Sequence, residues 1–296
     1  MNPTPSFAWL NGELLPFDEA RVPLSDRGLL LGDSLFETLA VVRAKPFEPD
    51  AHLQRLARGM AFAGFAGVPS RDVLARAVDA VIGAEVAGGA SPHGAVRVTV
   101  TRGPGRRGYS PREAGPANAF VVFHPGPEPC QPHPGWRLRT SSFRVPAGDP
   151  MEAFKHGSRL LHVLARGEAE AAGADEALLL NTLGEPAECA SGNILWFEDE
   201  TLCHVPAGSG ALAGVTQQFV LNLATARGIP WGEARPGKDF GERIKEGGAL
   251  VVLSTLGVVP VLALDGHACR QRVETGALAA DLLSRMRDDG PGPRQG

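Results

Sequence analysis

Lysine is scarce in this chain. Among 296 residues the only lysines are Lys45, Lys155, Lys238 and Lys245, and almost all positive charge is arginine. Tyrosine is scarcer still, with Tyr109 alone. The four cysteines, Cys130, Cys189, Cys203 and Cys269, are scattered, with neither metal-ligand spacing nor the density of a disulfide framework. That excludes a disulfide-stapled secreted scaffold and points to free thiols in a reducing cytosol. No apolar run is long enough to span a bilayer, and the opening segment lacks a signal-peptide pattern, so a cytoplasmic location without a membrane partner is expected. A basic excess is missing too: the formal net charge is −4, which disfavours nucleic acid as a partner.

What is present is apolar material, 43% of the chain, enough for one large domain or two ordinary ones. Residues 7–10 read as a strand, Asn11-Gly12 as a hairpin turn, and 13–16 as the returning strand. Residues 29–31 and 36–42 are strand-like apolar runs around Gly32-Asp33. Leu53, Leu56, Met60 and Phe62 recur at helix spacing over 50–65, and Ser70 can cap a second helix carrying Val73, Leu74, Val78, Val81 and Ile82. Strands are expected at 95–100 and 119–123. The Pro-rich stretch 125–135 fits neither a helix nor a central strand, so it reads as a linker. Beyond it, strands are expected at 136–140, 176–180, 194–197, 202–205, 249–253 and 261–264, with helices at 158–172, 215–227 and 273–286. This arrangement predicts an α+β chain with an N-terminal domain over 1–124, a C-terminal domain over 136–287, and a disordered tail at 288–296.

Of the four lysines, Lys155 alone sits between apolar neighbours and an apolar helix pattern. An ammonium held near apolar surface loses hydration, which favours the neutral, nucleophilic amine that a Schiff-base lysine needs. A lysine snorkelling from a helix start is the ordinary alternative. Five further features line up with it. Glu188 lies between a turn and the apolar strand Ile194-Leu195-Trp196-Phe197, where a carboxylate wants a cationic partner such as a protonated pyridine nitrogen. Gly214-Val215-Thr216 opens a helix, where free N–H groups and a hydroxyl suit a phosphate. Ser254 and Thr255 end a buried strand and can bind a second phosphate edge. Arg55, in His52-Leu53-Gln54-Arg55-Leu56, can clamp a phosphate with its fork of donors. The loop Thr101-Arg102-Gly103-Pro104-Gly105-Arg106-Arg107-Gly108-Tyr109 is mobile in composition and rich in arginine, which suits carboxylates on a small substrate; without Gly-Lys-Ser/Thr it is not a Walker loop. Each feature alone has a plain structural explanation, as a cap, a strand end or a solvated face.

Taken in order, these features resemble the fold-type IV pyridoxal-phosphate enzymes, which include branched-chain aminotransferases, D-amino-acid aminotransferases and aminodeoxychorismate lyases. Gly32-Asp33-Ser34-Leu35-Phe36-Glu37-Thr38 is similar to the family's Gly-Asp-x-x-Phe-Glu-Thr. The resemblance runs from Leu10-Asn11-Gly12 to Pro260-Val261 and implies a two-domain fold like D-amino-acid aminotransferase. It implies a small N-terminal α/β domain, a larger C-terminal domain with a mixed β core, and a homodimer. Pyridoxal 5'-phosphate is the implied cofactor. Lys155 would form the internal aldimine and move protons. Glu188 would keep the pyridine nitrogen protonated. Arg55, Val215, Thr216 and Thr255 would hold the phosphate, and Ser191 and Asn193 would line the site.

Within the family, Lys155-His156-x-x-Arg159-Leu160 resembles the lyase's lysine segment. Aminotransferases commonly place a tyrosine at the position of Leu160, and this chain has none there. Arg102-Gly103-x-Gly105-x-Arg107-Gly108-Tyr109 resembles the lyase's arginine loop, in which Arg107, beside Tyr109, would meet a substrate carboxylate. Ser158 and Ser34 depart from the Asn and Gly frequent in the lyases. The implied activity is elimination of pyruvate from 4-amino-4-deoxychorismate to give 4-aminobenzoate, a folate precursor, with Thr38 aiding proton delivery. A class IV aminotransferase acting on D-amino or branched-chain amino acids is the alternative.

Overall fold

A computed structural model describes residues 4–237, 239–253, 255 and 257–288. Ser254 and the expected tail beyond Asp288 lie outside them. The chain forms two compact units: one runs to Pro129 and includes Phe154–Arg159, the other comprises Cys130–Ala153 and Leu160–Asp288.

The first unit is a six-stranded antiparallel sheet with helices on it. Strands β1 (Phe7–Leu10) and β2 (Glu13–Pro16) turn over Asn11 and Gly12, both at positive φ (50° and 110°), as a two-residue hairpin requires. Residues 29–31, expected to be strand-like, belong instead to a short helix, α1 (Arg27–Leu31). The Asp26 carboxylate accepts from the Gly28 N–H at its start, and Gly32 at φ 67° ends it. Then follow β3 (Ser34–Val42), β4 (Lys45–Pro46), α2 (Pro49–Phe62), α3 (Arg71–Ala87), β5 (Gly94–Thr101) and β6 (Asn118–Pro125). The strand order is β2-β1-β6-β5-β3-β4. Ser70 caps α3 as its sequence position predicts, accepting from the Val73 N–H.

Side chains alternate across β3. Leu35, Leu39 and Val41 join Leu53, Leu56, Leu74 and Val78 in the core under α2 and α3. Phe36 and Thr38 take the opposite face. The first half of β3 has an edge not covered by β4, and the lysine segment pairs there. The Phe36 N–H donates to the Lys155 carbonyl at 2.9 Å and the Gly157 N–H to the Ser34 carbonyl at 2.8 Å, with Leu35 opposite His156. Sequence reading had set this segment in the C-terminal half; its strand pairing ties it to the first unit. Glycine at 157 leaves room for the Ser34 hydroxyl, which a Cβ there would displace.

The second unit is built on a nine-stranded mixed sheet. Its elements are β7 (Trp136–Val145), α4 (Leu160–Ala171), β8 (Glu176–Asn181), β9 (Pro186–Cys189), β10 (Asn193–Glu198), β11 (Thr201–His204) and α5 (Val215–Ala226). They continue with β12 (Trp231–Glu233), α6 (Phe240–Gly247), β13 (Ala249–Leu253), β14 (Gly257–Leu264), β15 (His267–Ala268) and α7 (Val273–Arg287). The order is β12-β11-β10-β13-β14-β7-β8-β9, with β15 added on β14. Trp136, Leu138, Leu178, Ile194, Trp196, Val251 and Val259 fill its main core. A smaller core of Val145, Ala165, Ala169, Leu179 and Ala187 seats α4. Strand β9, not expected from sequence, ends the sheet's path, where Pro186 is tolerated.

Candidate functional site

In the first unit, Lys155 is half-buried and its Nζ lies 4.9 Å from the centroid of the Phe36 ring. The Arg97 guanidinium carbon lies 3.7 Å from the same centroid, and Arg97 stands directly opposite Thr38 in the β3–β5 register. Phe36, Thr38 and Arg97 thus share one face of β3 and β5, and the Phe36 ring on that face takes both the Arg97 guanidinium and the Lys155 amine. Arg97 was not singled out from the sequence. The available signal was a lone charge in an otherwise apolar alternating strand.

Glu37 points the other way, into α2. Arg55 Nε and Nη2 donate to its two carboxylate oxygens at 2.7 Å each, and His52 Nδ1 lies 2.7 Å from Oε2. All three residues are buried. Burial alone would push the Glu37 carboxyl up, but hydrogen bonds from His52 and Arg55 overcome it and hold the pKa down to about 2. Glu37 is therefore a fixed anion, and its fork fixes the plane of the Arg55 guanidinium. Sequence reading picked Arg55 and missed this carboxylate, the only acid within β3.

The arginine loop divides in its use. Arg102 is internal: it donates to Asp33 Oδ2 at 2.7 Å and to the carbonyls of Ala63 and Gly64 at 3.0 and 3.1 Å, so it does not face a ligand as its composition alone implied. Arg106 pairs with Glu113 on the surface at 3.2 Å. Arg107 is exposed, and Tyr109 is 87% exposed.

In the second unit, Glu188 on β9 is buried, with Oε1 3.1 Å from His162 Nε2 on α4 and Oε2 accepting from the Leu212 N–H at 2.9 Å. Asn193 Nδ2 donates to the Leu212 carbonyl at 2.7 Å. Both backbone polar groups of Leu212 are therefore held by side chains from the end of β9 and the start of β10. Two residues on, Gly214 packs so close to Asn193 Oδ1 that a Cβ would not fit. Gly214 caps α5 without a side-chain hydrogen bond. Behind it, Thr216 is 4% exposed and its Oγ1 has no hydrogen-bond partner among the described residues. Leaving a buried hydroxyl unpaired costs about 1–3 kcal/mol. An orphan hydroxyl beside the first N–H groups of a helix has the donors that an anion needs.

Val215 is half-buried at the start of α5. Thr255 is half-buried, and its carbonyl accepts from the Cys130 N–H at 3.3 Å. The Ser191 hydroxyl bonds to the fully buried Glu176, which also receives Arg166 Nη1 at 3.0 Å. All four cysteines are buried and unpaired with one another, and no metal-binding cluster occurs among the described residues. No described helix is long and apolar enough to cross a membrane.

Comparison with known proteins assigns the chemistry a class. The profile of the family described as amino-transferase class IV matches residues 34–264. A putative branched-chain-amino-acid aminotransferase of Methanocaldococcus jannaschii is 28% identical over 285 residues, 95% of each chain. The aminodeoxychorismate lyase of Vibrio harveyi is 28% identical over 222 residues, 74% of this chain and 78% of that one. Among solved structures, the branched-chain amino acid aminotransferase of Escherichia coli superimposes with a TM-score of 0.87 at 21% identity, covering 98% of both chains.

Proposed function

The chain belongs to the class IV aminotransferase family and works with pyridoxal 5'-phosphate, and within that family we propose that it is a 4-amino-4-deoxychorismate lyase. The residues suit the cofactor. The buried, unpartnered Thr216 hydroxyl at the start of α5 fits a phosphate, and the buried Glu188 carboxylate fits a protonated ring nitrogen. Arg55, Val215 and Thr255 would complete the phosphate's hold, with Asn193 and Ser191 shaping the turn around Glu188. When bound, pyridoxal phosphate supplies an aldehyde for the substrate amine and an electron-withdrawing ring.

The protein supplies position and proton handling. Glu188, steadied by His162 and Leu212, would hold a proton at the ring nitrogen once the cofactor is bound. Lys155 would take the proton from the substrate carbon that bears nitrogen. Thr38, on the Lys155 side of β3, passes a proton to the departing enolpyruvyl group. Loss of that group as pyruvate leaves an aromatic ring, 4-aminobenzoate, so the reaction balances with no second substrate. Arg107 orients a substrate carboxylate, with Tyr109 beside it. General acid–base help of this kind is worth roughly 10²–10⁴-fold.

One observation carries the lyase reading. Position 160, where aminotransferases of this family commonly hold a tyrosine, is leucine, and the chain's single tyrosine is Tyr109 in the arginine loop. The second reading, an aminotransferase on branched-chain or D-amino acids, is favoured by the Methanocaldococcus relative, which matches more of the chain than the Vibrio lyase does. Product analysis separates the two. Purified protein given 4-amino-4-deoxychorismate without any oxo acid is expected to release pyruvate and 4-aminobenzoate in equal amounts. Release of neither, with amino transfer from leucine or D-alanine to 2-oxoglutarate, overturns the lyase reading in favour of the aminotransferase. A cytoplasmic homodimer goes with either reading, and the exposed Leu24, Leu29 and Leu30 supply apolar surface for assembly. A monomer in sedimentation would remove that part.

A further inference from the structure

Arg27 opens a short helix, yet it is buried, at 5% exposure. Its guanidinium binds backbone. Nη1 donates to the carbonyls of Gly108 at 3.1 Å and Ser110 at 3.2 Å, and Nη2 to that of Tyr109 at 3.2 Å. Nε donates to Asp33 Oδ2 at 2.8 Å, and the same oxygen accepts from Arg102 Nε at 2.7 Å. Backbone bonds tie the near end of the loop to the same place: the Arg27 N–H donates to the Gly103 carbonyl at 2.9 Å and the Gly105 N–H to that of Ser25 at 3.0 Å. Gly105 lies against the arginine stem, since a Cβ there would come 2.7 Å from Arg27 Cδ. The 102–111 loop is wrapped around one side chain.

We infer that Arg27 is the positioning residue of this loop, holding its backbone so that Arg107 and Tyr109 are presented at fixed height to a substrate bearing more than one carboxylate. The inference rests on the reading of Arg107 given above. A guanidinium with donors on three consecutive carbonyls has little left for a ligand; its effect is to remove freedom from the backbone that carries the outward residues. A loop ordered before binding does not lose that freedom when the ligand arrives, which strengthens binding. Beneath the loop, Asp33 and the buried Asp26 offset Arg27 and Arg102, and Glu113 offsets Arg106, so Arg107 is the cation that the loop adds on its outer side. A single presented guanidinium pairs with one carboxylate of such a substrate.

The test uses Arg27→Met, which keeps the stem and removes the donors, and Arg27→Lys, which keeps the charge and removes the fork. Limited trypsin digestion of the holoenzyme, with cuts after Arg106 and Arg107 identified by mass, reads the loop without reference to turnover. Arg27→Met is expected to be cut there about tenfold faster, with KM for 4-amino-4-deoxychorismate raised about tenfold and kcat changed by less than about twofold. Its absorbance titration with pyridoxal phosphate should be unchanged, and Arg27→Lys should fall between the two. Cutting at the wild-type rate, or a fall in kcat and cofactor affinity with KM unmoved, overturns the inference. If Arg27→Met does not fold, Arg27→Lys gives the same readouts. Arg107→Ala separates this inference from the one beneath it: an unchanged KM there, with Arg27→Met still cut faster, removes the carboxylate reading of Arg107 and leaves the brace.

Discussion

Glu37 and Arg55 meet through two parallel hydrogen bonds of 2.7 Å, a fork closed inside the first unit, with His52 on the same carboxylate. The Glu37 pKa falls from 4.5 to about 2, so its contribution to stability is present above pH 4.5 and is lost as pH falls toward 2. The shift corresponds to about 3 kcal/mol. Glu37→Gln should lower the melting temperature at pH 7 by roughly 10 °C, because it leaves a buried guanidinium without its anion. Its deficit should shrink between pH 5 and pH 3. Thermal scans across that range check this; a deficit constant with pH would show that charge is not the cause.

Thr216→Val tests the anion seat. The variant should bind pyridoxal phosphate about tenfold more weakly while its affinity for pyridoxal, which lacks the phosphate, stays the same. Without cofactor it should be no less stable than the parent, since an unpaired buried hydroxyl has been removed. Equal weakening for both compounds would place the Thr216 effect elsewhere than at a phosphate.

Lys155→Ala should abolish the absorbance of the lysine-bound cofactor and lower turnover by about three orders of magnitude or more. Lys155→Arg keeps a cation near Phe36 but provides no nucleophile, so it should be equally inactive. A coloured, active arginine variant would show that the amine's contribution is electrostatic.

Gly157→Ala would drive a Cβ into Ser34 Oγ and push the lysine segment off the edge of β3. Turnover should drop, and the added change Ser34→Gly should restore much of it by making room. A double variant as weak as the single one would mean that the contact with Ser34 is not what position 157 guards.

The periodic parts of this fold were legible from residue order. Alternation marked β5, apolar runs marked β3 and β6, Asn11-Gly12 marked the hairpin, and Ser70 marked the start of α3. The run at 29–31 misled because three leucines look alike on a strand and on a five-residue helix; the signals that decide it, Asp26 before and Gly32 after, are caps rather than periodicity. Strand β9 was hidden by a proline and by its length of four residues. Lys155, Glu188, Arg55 and Thr216 could be chosen because each has a local motif around it. His162 and Arg27 could not, and Glu37 stood in the Gly32–Thr38 motif without a role, because what makes all three matter is a partner reached only on folding. Arg27 and Gly108 are 81 positions apart, and His162 and Glu188 are 26 apart.

Leu212 gives its N–H to Glu188 and its carbonyl to Asn193, two residues before the cap of α5. Any rotation of the Glu188 carboxylate must therefore drag the peptide that leads into the helix, and any displacement of the helix start must tug on that acid. Under the roles proposed for them, Glu188 and the start of α5 would work as one lever with Leu212 as its pivot, and a mutation at one would be felt at the other.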